Sequence, residues 1–149
     1  MKRKILIVED NVGLSQIQKD WLSRAGYDAV TAMSEPIARS LIRKTQFDLI
    51  LSDVRLPEGD GISLLEWLRK EKKDIPFIIT TEFVSVPDVV RTIKLGARDY
   101  LPKPVHREHL LELAEDVFHP VATVRKQERQ LFRRISPMIL KVEKFARLV

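Results

Sequence analysis

Acidic, hydroxyl and basic side chains stand at the carboxyl ends of four predicted strands. Glu9 and Asp10 follow the apolar run KILIV, and Asp53 follows a later apolar run. Thr81 ends another such run, and Lys103 comes shortly after the last one. In an open sheet of parallel strands the ligand crevice lies beyond these ends, so the five side chains are candidates for one site.

The types of these side chains indicate phosphoryl chemistry on an aspartate. If the first and third strands are neighbours, about 4.8 Å apart, their terminal carboxylates repel one another and need a cation between them. Three carboxylates with no histidine or cysteine nearby form a hard oxygen site of the kind that Mg²⁺ prefers. Lys103 adds a fixed positive charge and Thr81 a hydroxyl. A carboxylate nucleophile, a metal, a lysine and a hydroxyl are what an in-line phosphoryl transfer requires.

The hydrophobic pattern predicts five repeats of a strand followed by a helix within residues 1–118. Ser34 and Ser85 are expected to cap helices, and Gly26 and Gly96 to end them. The predicted strands are 4–9, 27–32, 47–52, 75–80 and 99–101. Apolar residues at helical spacing include Ile17, Ile37, Val90 and Ile93. This alternation predicts an α/β fold with a parallel sheet covered on both faces.

Composition and charge divide the chain and exclude several classes of protein. The 149 residues are 44% apolar and 32% charged, which is enough for one domain with a core, and the absence of cysteine excludes disulfides and thiolate zinc sites. No segment resembles a membrane span or signal peptide, so we expect a cytoplasmic protein without membrane contact. Residues 1–118 hold 18 Lys and Arg against 19 Asp and Glu, whereas residues 119–149 hold 8 against 2. We therefore expect a near-neutral domain, 1–118, and a basic tail, 119–149.

The basic tail carries a seven-residue register. Its positions are separated by four and three residues in turn, from Val117 through Leu131 to Val149, which is typical of a coiled-coil seam. Pro120 and Pro137 divide the pattern into two or three helical segments. We expect a dimerisation or signal-relay helix, truncated before an output region, rather than a tail folded back on the domain. No DNA-binding motif accompanies the basic residues, so no DNA contact by this chain is expected.

Four segments resemble the receiver domain of two-component response regulators, in order and in spacing, over about residues 3–118. The segments are ILIVEDN (5–11), LILSDVRLPEGDG (49–61), IPFIITT (75–81) and GARDYLPKP (96–104). The resemblance implies a doubly wound, flavodoxin-like (βα)₅ fold with strand order 2-1-3-4-5, here followed by a C-terminal helical extension. It also implies Mg²⁺ as the cofactor and a histidine kinase or phosphotransfer protein as the partner.

The resemblance assigns a role to each acid at the strand ends. It implies that Asp53 is the phosphoacceptor. It also implies that Asp10, Asp53 and the backbone carbonyl of Arg55 bind Mg²⁺, with Glu9 acting mostly through water. Lys103 would pair with the phosphoryl group, and its peptide bond to the following proline would be cis.

The same resemblance names switch and entrance residues. Thr81 would hydrogen-bond the phosphoryl group, and Thr81 and Tyr100 would shift inward when it is present. The face formed by helix 4, strand 5 and helix 5 would then control an output or partner, and we expect a homodimer through the tail or through helices 4 and 5. Arg55, Glu82 and Phe83 would flank the entrance. Most relatives carry a small residue at the position of Glu82, which here either crowds the entrance and slows phosphorylation or points to solvent.

Two alternatives to a signal receiver remain open on the sequence. An aspartate-nucleophile phosphatase of the haloacid dehalogenase type also uses a strand-end aspartate, but it needs a second acid two residues on, where this chain has Arg55. A phosphorylation-independent, flavodoxin-like binding scaffold would use the same fold without the chemistry. The constellation of residues favours a regulatory phosphoacceptor domain that assists only its own phosphorylation and dephosphorylation.

Overall fold

The computed structural model describes residues 2–120, in which the strands of one sheet alternate with five helices. The strands are β1 (Lys4–Val8), β2 (Asp28–Ala32), β3 (Leu49–Asp53), β4 (Phe77–Thr81) and β5 (Asp99–Pro102). The helices are α1 (Val12–Arg24), α2 (Glu35–Lys44), α3 (Gly61–Lys70), α4 (Val86–Lys94) and α5 (Arg107–Phe118). The coiled coil and dimerisation helix expected of the basic tail fall on residues outside this range, and they stay predictions.

The five strands are parallel and lie in the order β2-β1-β3-β4-β5. This confirms the predicted order. Val8 at the end of β1 lies beside Ser52 in β3, so Glu9 and Asp53 are the next residues on adjacent strands. Asp53 in turn lies beside Thr80 in β4. The register therefore brings the strand-end residues to one edge of the sheet.

Helices cover both faces of the sheet, as the pattern of fully apolar strands predicted. Alternate residues of each strand point to opposite faces, and they build two separate cores. One face packs against α2, α3 and α4 through Leu6, Ile50, Phe77, Ile42, Leu65 and Val89. The other face packs against α1 and α5 through Ile5, Leu51, Ile78, Leu22, Leu110 and Leu113. In residues 2–120, no helix is both long and apolar enough to cross a membrane.

The helix caps follow the sequence, but some apolar helix positions do not face the core. The side chains of Ser34 and Ser85 accept hydrogen bonds at the starts of α2 and α4, as predicted. The apolar residues Ile17, Ile37, Val90 and Ile93 are between 41% and 49% exposed. Gln18 and Thr92 are buried in α1 and α4 instead. The buried faces of α1, α2 and α4 are therefore turned relative to their apolar patterns, because the packing against the sheet decides which residues are buried.

The loop between β3 and α3 contains a small hairpin that the sequence did not predict. Residues 55–56 and 59–60 pair in antiparallel fashion, with Arg55 opposite Asp60. The Asp60 carboxylate accepts a hydrogen bond of 2.7 Å from the backbone N–H of Ser63 and so caps α3. Gly61 leaves no room for a side chain, because a Cβ would collide with the carbonyl oxygen of Asp53. The hairpin therefore leads the chain directly from the sheet edge into α3.

Candidate functional site

Three acids meet beyond the carboxyl ends of β1 and β3. One carboxylate oxygen from each of Glu9, Asp10 and Asp53 lies within 4.8 Å of the others. Glu9 and Asp53 are buried, whereas Asp10 is exposed. Three hard oxygen donors at this spacing, open to solvent on one side, fit a divalent cation such as Mg²⁺ that keeps part of its water shell. The structure thus brings together the acids that the sequence selected from two strands.

Lys103 reaches this acidic cluster from the loop that follows β5. Its Nζ lies 2.9 Å from Glu9 Oε2 and 2.8 Å from Asp53 Oδ2. The backbone N–H of Lys103 donates to the carbonyl of Thr81 at 2.7 Å, which fixes the loop against β4. The peptide bond between Lys103 and Pro104 is cis, as the resemblance implied. One ammonium group therefore bridges two buried carboxylates from different strands.

Burial and charge act in opposite directions on the ionisable groups of this cluster. Burial raises the pKa of Glu9, and the charge of Asp53 adds to this, while the hydrogen bond from Lys103 opposes it. Burial lowers the pKa of Lys103, but its hydrogen bonds to Asp53 and Glu9 outweigh burial, and the net shift is upward. Lys103 is therefore held in its charged form. Ionising the buried Glu9 beside Asp53 costs free energy, and a second cation would reduce that cost.

The side chain of Thr81 is engaged within its own loop. Its Oγ1 donates to the carbonyl oxygen of Phe83 at 2.8 Å and accepts from the backbone N–H of Phe83 at 3.1 Å. Both bonds hold the turn that starts where β4 ends. The hydroxyl must give up the bond to the Phe83 carbonyl before it can donate to a ligand.

The acids, Lys103 and Thr81 line a common cavity of about 570 Å³. Glu82 and Phe83 are exposed at its rim. The guanidinium of Arg55 lies 4.3 Å from the centroid of the Phe83 ring, which is a cation–π contact across the opening. The remaining lining residues are Asn11, Leu14, Leu56 and Pro57.

Comparison with known proteins identifies the kind of domain that carries this cavity. A family model described as the response regulator receiver domain matches residues 5–115. The chain belongs to this family. The family generally binds Mg²⁺, and its members receive signals in two-component systems.

Two curated relatives of this receiver domain are transcriptional regulatory proteins of bacteria. The chain is 32% identical over 146 residues to the transcriptional regulatory protein GlrR of Escherichia coli K12, covering 97% of this chain and 33% of that protein. It is 40% identical over 114 residues to the transcriptional regulatory protein ZraR of Salmonella typhimurium, covering 76% of this chain and 26% of that protein. The chain thus spans a third or less of the length of these relatives.

Solved receiver domains share the fold over most of the chain. A CheY-like receiver domain protein from Methanospirillum hungatei is 29% identical, with a TM-score of 0.75, and the match covers 87% of this chain and 99% of that one. The non-phosphorylated HemR receiver domain from Leptospira biflexa is 35% identical, with a TM-score of 0.74, and the match covers 82% and 98% of the two chains. The flavodoxin-like architecture expected from the sequence is confirmed.

Tyr100 of the receiver domain does not line the cavity and lies inside the core. It is 1% exposed and belongs to the apolar cluster that packs against α2, α3 and α4. Its hydroxyl is enclosed and interacts with the side chain of Thr81. Burial, with a contribution from the charge of Asp88, raises the pKa of Tyr100 to about 12. Tyr100 is therefore neutral and already inward in this conformation.

Sequence reasoning did not select Asn11 as a site residue, although it lines the cavity. Its side-chain oxygen accepts from the backbone N–H of Leu14 at 2.9 Å and caps α1. Its backbone N–H donates to Glu9 Oε1 at 3.2 Å. Asn11 therefore fixes the carboxylate oxygen of Glu9 that Lys103 does not contact. An asparagine directly before a helical pattern signalled the cap, but nothing in the sequence signalled the bond to Glu9.

Proposed function

We propose that this receiver domain accepts a phosphoryl group on Asp53 from a phosphohistidine, presented by a histidine kinase or a phosphotransfer protein. The observation that supports this most strongly is the Lys103 ammonium, which contacts both Asp53 and Glu9 beside Asp10 in one open cavity. Such an arrangement provides a nucleophile and two places for positive charge around a single point. It serves the domain's own phosphorylation and not the turnover of a separate substrate.

The two carboxylate oxygens of Asp53 have different hydrogen-bond partners, which support its proposed role as the nucleophile. Asp53 Oδ2 accepts from Lys103 at 2.8 Å, and Oδ1 accepts from the backbone N–H of Arg55 at 3.3 Å. In the transfer, a carboxylate oxygen attacks phosphorus, a P–O bond forms, and the P–N bond to the imidazole breaks with its electron pair remaining on nitrogen. Lys103 stabilises the charge that spreads over the phosphoryl oxygens.

Mg²⁺ would be held by Asp10, Asp53 and the backbone carbonyl of Arg55, with Glu9 acting mostly through water. The bound ion would neutralise negative charge on the transferred group. The support from this chain is the spacing of its three carboxylates and the raised pKa of Glu9, since both favour an additional cation.

The proposed switch begins at Thr81. Its hydroxyl exchanges the carbonyl of Phe83 for a phosphoryl oxygen, and this releases one of the two bonds that hold the turn after β4. Tyr100 is already buried, so an inward movement of its ring is not required from this conformation. The turn leads directly into α4, and we propose that the face of α4, β5 and α5 changes with it and controls an output or partner.

The partners and location of the longer protein are proposals as well. The relatives are named transcriptional regulators and extend well beyond the matched region. We therefore propose that the basic tail connects the domain to an output region or joins two copies, with no DNA contact by this chain itself. Receiver domains typically work in the cytoplasm, and we propose the same location here.

The proposed chemistry can be tested with a small phosphodonor. We expect the full chain to take up one phosphoryl group from acetyl phosphate only when Mg²⁺ is present, and hydroxylamine to remove it. Asp53→Asn should abolish the label, whereas Asp20→Asn, at an exposed aspartate on α1, should not. Partner binding without any label would favour the scaffold alternative, and steady turnover of added phosphoesters would favour the phosphatase.

A further inference from the structure

Glu35 is a buried carboxylate that lies outside the acidic cluster. It is the first residue of α2, and its side chain is only 6% exposed. Oε1 forms an ion pair of 2.5 Å with Arg39, one turn along the same helix. Oε2 accepts a hydrogen bond of 2.9 Å from the backbone N–H of Asp60, twenty-five residues away. A carboxylate is rarely buried to this extent unless its partners are essential to the local structure.

The bond from Glu35 reaches the hairpin that follows the phosphoacceptor. Asp60 pairs with Arg55 in this hairpin, and the backbone N–H of Arg55 donates to Asp53 Oδ1. Gly59 lies so close to Glu35 that the carboxylate fills the space where a Cβ would stand. Glu35 is thus joined to Asp53 through Asp60 and Arg55, by two hydrogen bonds between side chain and backbone and by the pairing of the two hairpin strands.

The side chain of Leu56 anchors the first strand of the hairpin in the core, but the second strand, Gly59–Asp60, has no apolar side chain to anchor it. Each strand has two residues, and an isolated pair of strands is marginal in water even when it is longer. The Asp60 side chain caps α3 and so fixes the point where the hairpin leads into that helix. Glu35 secures the remaining part, since it supplies the acceptor for the one backbone N–H of Asp60.

We propose that Glu35 is a positioning residue for the metal site: it holds the hairpin so that the backbone carbonyl of Arg55 is preorganised for Mg²⁺. The inference rests on the proposed function, because it takes the Arg55 carbonyl to be a metal ligand. Groups that hold a ligand in place commonly matter to metal affinity nearly as much as the ligand does. The oxygen of Glu35 that accepts from the Asp60 N–H is what holds the hairpin, and the negative charge of the carboxylate contributes little to this.

Two variants of similar size separate the acceptor from the charge. Glu35→Gln keeps an oxygen for the Asp60 N–H and loses the ion pair, whereas Glu35→Met loses both. Arg39→Met is the matched control, because it removes the ion pair and leaves the acceptor. Mg²⁺ affinity is measured by calorimetric titration of the full chain, and exchange of the Asp60 amide is followed by NMR in metal-free protein.

We expect the dissociation constant for Mg²⁺ to rise about tenfold in Glu35→Met. In Glu35→Gln and Arg39→Met it should change by less than about twofold, since both variants keep an oxygen acceptor for the Asp60 N–H. The Asp60 amide should exchange about tenfold faster in Glu35→Met only, because that variant alone lacks its acceptor.

The outcomes distinguish this inference from the proposed function. A wild-type chain that binds no Mg²⁺ overturns the proposed function, and the inference with it. If the wild-type chain binds Mg²⁺, a folded Glu35→Met with wild-type affinity overturns the inference alone. If Glu35→Met does not fold, the wild-type chain and Glu35→Gln provide the test. An Asp60 amide that is not protected from exchange in the wild-type chain contradicts the role of the acceptor, and so does a large loss of Mg²⁺ affinity in Glu35→Gln.

Discussion

At the scale of single residues, Lys103 controls the electrostatics of the site. Its side chain is 8% exposed, and its ammonium contacts two carboxylates on side chains that are almost fully buried. Removing one member of such a group leaves like charges facing each other without compensation. Lys103 therefore stabilises the metal-free fold and, in the proposed function, also prepares Asp53 for an incoming phosphoryl group.

Lys103→Met should destabilise the metal-free protein by about 3 kcal/mol at pH 8. The hydrogen bond from Lys103 lowers the pKa of Glu9, so its loss raises that pKa further above the value in the unfolded chain. The folded variant then takes up a proton more readily than the unfolded one, and its stability increases as the pH falls. We would measure the free energy of unfolding in urea, with a chelator present, from pH 8 to pH 5. The difference between wild type and Lys103→Met should become smaller as the pH falls.

The control for Lys103→Met is the double variant with Glu9→Gln, which lacks the titrating carboxylate. The loss in its free energy of unfolding, relative to wild type, should depend much less on pH than the loss in the single variant. A deficit of Lys103→Met that stays constant between pH 8 and pH 5 would mean that Glu9 does not respond to Lys103.

Glu82 stands at the rim of the cavity, and its charge should slow an anionic phosphodonor. The side chain is exposed and lines the opening together with Phe83. We expect Glu82→Ala to speed labelling by acetyl phosphate about threefold at low salt, with less effect at high salt. Glu82→Gln keeps the size and removes the charge, so an equal gain there would assign the effect to charge. Unchanged labelling rates in both variants would contradict this prediction.

At the scale of elements, Arg69 joins the C-terminal ends of α3 and α4. Its guanidinium donates to the carbonyls of Leu95 and Gly96 after α4, at 2.8 and 3.2 Å. It also donates to the carbonyls of Lys73 and Ile75 after α3, both at 3.0 Å. Carbonyls at helix ends lack partners within the helix, so one side chain satisfies several of them. α4 is thus fixed at the end far from the site, and residues 2–120 contain no comparable set of side-chain hydrogen bonds at its other end, near Ser85.

We predict that Arg69→Met destabilises the protein by about 2 kcal/mol, because hydrogen bonds from a charged group are lost and carbonyls are left unpaired. Arg69→Lys should recover less than half of this, since an ammonium cannot present the same fork of donors. Lys70→Met, at an exposed neighbour, is the control. Urea unfolding checks all three variants. Wild-type stability in Arg69→Lys would contradict the claim that the several donors of the guanidinium are needed.

Elements and caps were predictable wherever they depend on local pattern. Ser34 and Ser85 were recognised as caps because a serine before an amphipathic run satisfies free backbone N–H groups. The exposure of Val90 and Ile93 was not predictable, since their spacing fits a core face and only the placement of α4 on the sheet turns them outward. The hairpin at Arg55 was missed because two-residue strands leave no periodic signal.

The site was predictable for a different reason. Asp53 and Lys103 are fifty residues apart, yet parallel strands bring their carboxyl ends to one edge, so strand-end residues can be grouped from the sequence. The bonds of Glu35 to Asp60 and of Asn11 to Glu9 could not be found in this way. Glu35 accepts from a backbone N–H twenty-five residues away, and Glu9 accepts from the backbone N–H two residues after it. Both hydrogen bonds depend on the conformation of a loop.

At the scale of the whole molecule, the chain combines a domain with its own core and a strongly basic tail. The two apolar clusters on either side of the sheet involve residues up to Phe118. Residues 119–149 hold 8 basic against 2 acidic side chains. Charge of one sign disfavours close contact between tails unless an apolar seam offsets it, and the predicted seven-residue register would supply such a seam.

A chain that ends at Pro120 should fold, bind Mg²⁺ as the full chain does and sediment as a monomer. The full chain should sediment as a dimer if the register from Val121 to Val149 pairs two copies. Leu131→Glu in the full chain is the matched test, since it places a charge in the seam. A dimer that persists after truncation would assign association to the face of α4 and α5, and a monomeric full chain would reject pairing through the tail.

The most direct test of the central claim is a titration with beryllofluoride, which imitates a phosphoryl group on a carboxylate, followed by fluorine NMR. The claim is that Asp10, Asp53 and Lys103 form one site for Mg²⁺ and for a phosphoryl group on Asp53. The account predicts a bound fluorine signal that requires Mg²⁺ and disappears in Asp53→Asn and Asp10→Asn. A signal that forms without Mg²⁺ or survives Asp53→Asn, or no bound signal at all in the wild-type chain, would contradict it.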